Sequence, residues 1–230
     1  MDKRFLGILA VLVIIFGGIF IASQHSSNSS SSGNTNNSNG QPTNHVMGQN
    51  SKNVTFVEYG DYECPICGVY YQPLKDALTP SLLQQIHFQF RNLPLVAIHQ
   101  NAFAAARAAE AAGLQNKYWQ MHDLLYQNQN DWTNSSNPFG IFQNYAKQIG
   151  LNVNQFNNDY SSGKVNDAIN ADVAEFKKTG KEQATPTFFL NGQYVNNTDL
   201  SDPATGAPTA EKITQVIQAE IAKQSSSNKQ

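Results

Sequence analysis

The two cysteines of this chain stand three positions apart, as Cys64-Pro65-Ile66-Cys67. A disulfide between near neighbours staples no distant segments, so its use is chemical rather than structural. Proline is favoured at the first position of a helix, where its missing N–H would go unpaired, and that makes Cys64 the N-cap. The Cys64 sulfur then faces the free N–H groups of Ile66 and Cys67 and the positive end of the helix dipole, which stabilise the attacking thiolate. Cys67, one turn in, is less exposed. The spacing predicts that Cys64 attacks and Cys67 resolves the mixed disulfide. Two other readings compete. Half a zinc site would need two more ligands, yet the five histidines (25, 45, 87, 99, 122) include no close pair and there is no third cysteine. A pair of idle buried cysteines is the other.

The elements around this motif follow from periodicity and punctuation. Residues 54–59 (VTFVEY) are rich in β-branched and aromatic side chains and stop at Gly60, which predicts a buried strand leading into the motif. A helix is expected over 65–77, and a second strand over 87–93 (HFQFRNL), which alternates and ends at Pro94. Residues 101–179 form helices in several pieces, punctuated by Gly, Pro and Asn. Within them Tyr118, Trp119, Met121 and Leu125 recur at helical spacing, as core positions do. Residues 187–190 and 193–195 flank Asn191-Gly192, the pair that supplies the positive φ angles of a type I′ hairpin. An amphipathic helix over 209–222, with Ile213, Val216 and Ile217 on one face, closes the domain. His99 and His122 have no partner visible in sequence and are read as structural or surface residues. Asp61 and Glu63 precede the motif, where they either tune it or are simply solvated loop acids.

The ends of the chain suggest where it works. After a short N-terminus (1–4) containing Lys3 and Arg4, residues 5–22 are apolar throughout and would span roughly 27 Å as a helix, close to a bilayer core. With the basic residues before the span, everything after it is expected outside the cytoplasm. A cleaved signal peptide is the alternative, but Phe20 spoils a small-x-small site before Ala22. Residues 23–52 are Ser, Asn and Gly with little to bury, and are expected to be a disordered tether. By the same reading a chain beginning near Ser51 should be a complete soluble domain, over 53–225, and 226–230 a flexible tail. A net charge of -2 gives no basic patch for nucleic acid. No Gly-rich phosphate loop and no internal repeat are present.

Taken together, FVEYGDYECPIC and ATPTFFLNGQYV resemble the active-site strand and the cis-proline loop of the DsbA-like branch of the thioredoxin superfamily. The resemblance implies a thioredoxin fold: a mixed four-stranded sheet in order 2-1-3-4, helices on both faces, a helical subdomain inserted at about 97–180, and here one transmembrane helix before it. It implies a cis bond between Thr185 and Pro186, with Thr185 pairing to the bound substrate strand; no cofactor or metal is expected. It also places at Glu58 the buried carboxylate of thioredoxin-like proteins. A carboxyl on an otherwise apolar strand should have a raised pKa and suit proton relay to Cys67, unless Glu58 faces solvent at an edge.

What the resemblance implies for function is a membrane-anchored, monomeric, extracytoplasmic thiol–disulfide oxidoreductase. The first expectation is an oxidase that passes the Cys64–Cys67 disulfide to exported proteins and is reoxidised by a quinone-linked membrane partner of the DsbB type. A reductase or isomerase kept reduced by a membrane electron carrier, and a peptide-binding chaperone, are the alternatives. Strongly oxidising members carry histidine between the cysteines. Here Ile66 donates nothing from its side chain, which leaves the potential open.

Overall fold

A computed structural model describes residues 41–227. The expected anchor, most of the expected tether and residues 228–230 lie outside them. The element that positions the chemistry is β2 (Val54–Gly60), whose sequence VTFVEYG carries bulky side chains at both parities and is largely buried on both faces. That is the pattern of a central strand. It pairs in parallel with β3 (Ile86–Asn92), Phe56 lying opposite Phe88, through a crossover made of α1 (Pro65–Ala77) and α2 (Pro80–Gln85). On its other side it pairs antiparallel with β4 (Thr187–Leu190), which turns back into β5 (Gln193–Val195). Asn191 and Gly192 have φ of 49° and 78°, as the expected turn type requires.

The sheet has five strands in order β1-β3-β2-β4-β5, not four. The four expected strands keep their expected order, and an extra edge strand, β1 (His45–Met47), pairs antiparallel with β3. The tether expected over 23–52 therefore ends earlier, because residues within it find charged partners far along the chain. Asp172, fully buried, accepts from the Thr43 N–H and hydroxyl at 2.7 Å each, and from the Asn92 N–H at 2.9 Å. His45 Nε2 lies 2.8 Å from Glu110 Oε1, both buried. Gly48 turns the chain after β1 with φ of +99°, where a Cβ would come 2.1 Å from the Ile86 carbonyl oxygen, so no side chain fits.

The inserted helices run from α3 (Ala102–Gly113) through α4 (Tyr118–Gln127), α5 (Gln129–Trp132), α6 (Pro138–Gln148) and α7 (Val153–Tyr160) to α8 (Gly163–Lys178). Asn137, Asn152 and Ser162 cap three of them with side-chain acceptors, local signals that fix where each begins. The alanines of α3 are buried and let its neighbours approach closely, while Trp132, Phe142 and Phe156 fill the space between. Tyr118, Met121 and Leu125 are core residues here, and Trp119 packs against both cores. On the other face α9 (Ala210–Ser227) lies against α1, with Ile213 and Ile217 beside Tyr70, Leu74 and Phe188. It runs past the expected helix end into the expected tail, where Ser225 and Ser226 hydroxyls bond back to the carbonyls of Ile221 and Ala222.

Candidate active site

Cys64 is the N-cap of α1, with Pro65 at its first position, as the spacing implied. Both thiols are free, and both are buried, Cys64 5% and Cys67 1% exposed. Their acidities diverge. The Cys67 thiol donates to the Cys64 sulfur, and this is the main reason the Cys64 pKa is held down at about 5. Burial works against it, while Thr185 and the N–H groups of Cys67 and Ile66 add to the lowering. Cys67 is pushed well above the ordinary thiol range, first by burial, then by its bond to Cys64 and the Cys64 charge, and then by Glu58 where that carboxyl is ionised. One sulfur is thus a thiolate at neutral pH and the other a thiol, the asymmetry that thiol–disulfide exchange uses.

The residues singled out in the sequence converge on this pair. The Thr185–Pro186 bond is cis, and the Thr185 carbonyl accepts from Cys64 Sγ at 3.4 Å. The loop is held by Thr187, whose hydroxyl donates to the Ala184 carbonyl at 2.7 Å, and by Asn197, whose side chain donates to the Pro186 carbonyl at 3.1 Å. Glu58 is 3% exposed on β2, with Phe90 and Phe188 opposite it on the neighbouring strands. Burial, and secondarily the Cys64 charge, raise its pKa to about 8. Ile66 projects outward and is 53% exposed, as is Val69 one turn on.

The turn before Cys64 is organised by residues whose role the sequence left open. Asp61 and Glu63 are not solvated acids. Asp61, 1% exposed, accepts from the Glu63 N–H at 2.8 Å, the Leu95 N–H at 2.9 Å and His99 Nδ1 at 2.7 Å. Its own carbonyl accepts from the Cys64 N–H at 3.1 Å. Glu63 accepts from the Asn101 N–H at the start of α3. Gln129 Nε2 donates to the carbonyls of Tyr62 and Cys64 at 2.7 and 2.9 Å. These bonds join the catalytic turn to the insertion across tens of residues, a separation that no local pattern reveals. His99 thus has its partner, and His122 is buried in an aromatic cage of Tyr62, Phe90, Trp119 and Tyr126. Beside Ile66 and Val69 runs a groove of about 650 Å³ whose far wall is the segment 197–208.

Comparison with known proteins gives a consistent frame. The family described as Thioredoxin matches residues 40–219. The chain is 38% identical over 151 residues to the Na(+)/H(+) antiporter NhaA 1 of Salinispora arenicola, covering 65% of this chain and 22% of that protein. It is 35% identical over 153 residues to NhaA 1 of Mycolicibacterium gilvum, covering 65% of this chain and 23% of that one. The chain thus spans less than a quarter of the length of these relatives. Among solved structures, BdbD from Bacillus subtilis matches with a TM-score of 0.61 at 24% identity, covering 80% of this chain and 94% of that one. The alpha-DsbA1 of Wolbachia pipientis matches with a TM-score of 0.62 at 20% identity, covering 80% and 93%. These two likenesses establish the fold.

Proposed function

The chain belongs to the thioredoxin family, and from that premise we propose that it is a DsbA-like thiol–disulfide oxidoreductase, acting outside the cytoplasm as an oxidase of exported proteins. The observation that carries this reading is Cys64 at the N-cap of α1, its sulfur accepting from the Cys67 thiol and the first N–H groups of the helix, which hold its pKa down at about 5. A fold that stabilises the Cys64 thiolate stabilises the reduced protein relative to the disulfide, so the disulfide is readily given away.

In the reaction a substrate thiolate attacks Cys64 Sγ. The Cys64–Cys67 bond breaks and Cys67 leaves as a thiolate, which takes a proton from the buried carboxyl of Glu58. A second substrate thiolate then attacks the substrate sulfur of the mixed disulfide and releases Cys64 as its stable thiolate. The substrate has lost two electrons, and its two thiol protons have passed to solvent; the protein has gained two electrons, and the proton now on Cys67 has come from Glu58, which is left ionised. The groove beside Ile66 and Val69 would receive an extended apolar stretch of the substrate next to Thr185. A quinone-linked membrane protein of the DsbB type would restore the disulfide. Residues 5–22 would hold the domain at the membrane, so the full chain should fractionate with membranes; mature protein lacking those residues would overturn the anchor.

Because Ile66 adds no donor, the expected potential lies between those of DsbA and thioredoxin, roughly -130 to -230 mV. Equilibration with glutathione measures it. A value below about -260 mV together with a Cys64 pKa above about 8 would make the protein a reductase.

A further inference from the structure

Glu58 lies in the wall of a cavity of about 280 Å³ between α1, α4 and the sheet. Most of the lining is apolar, with Leu74, Leu78, Phe88 and Trp119 contributing. Lys75 and Asp123 line its exposed end, and two buried polar atoms of α4 lie on its wall. His122 Nε2 and Tyr126 Oη belong to side chains lining the cavity, are buried, and have no hydrogen-bond partner among the described residues. A buried polar atom left unpaired is costly, and a cavity of this size with such atoms on its wall suits ordered water. The other ring nitrogen, His122 Nδ1, lies 3.5 Å from Asp123 Oδ1. Asp123 is 37% exposed and is held at 2.6 Å by Lys75 Nζ, 44% exposed, so this end of the ring meets solvent. One nitrogen of the imidazole thus faces the carboxylate at the cavity's exposed end, while the other is buried and unpaired among the described residues.

We propose that this cavity is the proton route of the buried carboxyl, with His122 relaying protons between solvent at Asp123 and cavity water at Glu58. The inference rests on the reading that Glu58 exchanges its proton with Cys67. When Glu58 has protonated the departing Cys67, the ring, starting with its proton on Nε2, accepts a second at Nδ1 from the solvent side. It then releases the Nε2 proton to cavity water, which passes one to the Glu58 carboxylate. The ring is left neutral with its proton on Nδ1. On reoxidation the flow reverses: a proton enters at Nε2, leaves from Nδ1, and the starting tautomer returns. One proton crosses in each half of the cycle, and no electrons move through the ring.

The surroundings suit a relay. Burial lowers the His122 pKa, which keeps the ring neutral between transfers. Tyr126, whose ring centroid lies 5.1 Å from that of His122, feels the charges on Cys67 and Glu58. The titratable and charged groups facing the imidazole are Asp123 and Tyr126 on α4, Lys75 and Tyr71 on α1, Tyr62 before the motif and His45 on β1, besides Tyr118 at the start of α4.

The test is the rapid-mixing rate at which a dithiol peptide reduces the oxidised protein, measured against pH. His122→Phe keeps the ring's shape in its aromatic cage and removes both nitrogens. It should slow the reaction roughly tenfold above pH 7, leave the Cys64 titration and the equilibrium potential unchanged, and be rescued by imidazole in the buffer. In a Glu58→Gln background it should slow nothing further. An unaltered rate in His122→Phe, with Glu58→Gln slow, overturns the route and leaves the role of Glu58 standing. A Glu58→Gln protein at full speed overturns that underlying reading instead. Should loss of the imidazole collapse the packing, Asp123→Asn at the exposed end carries the test: a severalfold slowing relieved by imidazole is expected, and an unchanged rate overturns the route.

Discussion

Cys64 Sγ and the carbonyl oxygen of Thr185 are 3.4 Å apart, although 121 positions separate the two residues in the chain. A thiol can donate into that carbonyl; a thiolate cannot. The Thr185 hydroxyl is buried and has no hydrogen-bond partner among the described residues. The loop that carries Thr185 is thus part of what sets the charge on the Cys64 sulfur.

The first expected outcome concerns that charge. Absorbance at 240 nm against pH should give a Cys64 pKa near 5 in the reduced protein. Because the bond from Cys67 is the largest contribution, Cys67→Ala should raise this value, and Cys67→Ser, which keeps an O–H donor, should raise it less. Equal values in the two variants would remove Cys67 as the cause.

Stability should follow the same titration. The Cys64 pKa is lower folded than the ordinary 9.0, so its contribution is fully present above about pH 9 and is lost as pH falls through about 5. Denaturant unfolding of the reduced protein, compared with Cys64→Ser, should show a difference that shrinks steadily from pH 9 to pH 5. A difference that is flat across this window contradicts the lowered pKa.

Glu58 has the opposite sign. Its pKa of about 8 is raised above the ordinary 4.5, so the fold loses stability as pH climbs from 4.5 through 8, where the unfolded chain is ionised and the buried carboxyl is not. Glu58→Gln should be the more stable protein at pH 8, by on the order of a few kcal/mol, and the slower enzyme. Melting curves at pH 5 and pH 8 check it: the gain should appear only at the higher pH.

How much of this was legible in the sequence depended on the range of the interactions. Cys64, Pro65 and Cys67 declared the N-cap geometry because it is set within four residues, and Asn191-Gly192 declared its turn for the same reason. α2 had its signal too, in Thr79 and Pro80, whose cap accepts from Leu82 N at 3.3 Å, but six residues are too few to show a period. Asp61 and Glu63 could not be read, since their burial is decided by Leu95, His99 and Asn101. His122 looked structural because the aromatic cage and the cavity around it are assembled from α1, α4 and the sheet and have no sequence signature at all. β1 was hidden among polar residues that count as unfoldable only until Asp172 and Glu110 are brought to them.

That strand gives the last expected outcome. A chain beginning at Ser51 lacks Thr43 and His45 and leaves Asp172 and Glu110 buried with fewer partners. It should be less stable than a chain beginning at Gln41 by about 3 kcal/mol, a fall in Tm of roughly 10 °C, where the composition of 23–52 had suggested a dispensable tether. Equal melting temperatures would make β1 an ornament of the fold.

His45 stacks on Tyr118 with ring centroids 3.4 Å apart, and Tyr62, two residues before Cys64, donates to the Tyr118 hydroxyl at 3.0 Å. Three side chains thus join the edge strand to the catalytic turn. Coupling free energies are reciprocal: whatever preference one redox state of the pair has for a docked β1, a docked β1 has for that redox state. Anything that tugs on the segment before residue 45 would then bias the disulfide equilibrium, and the domain would be answerable, through its redox poise, to tension at its N-terminal end.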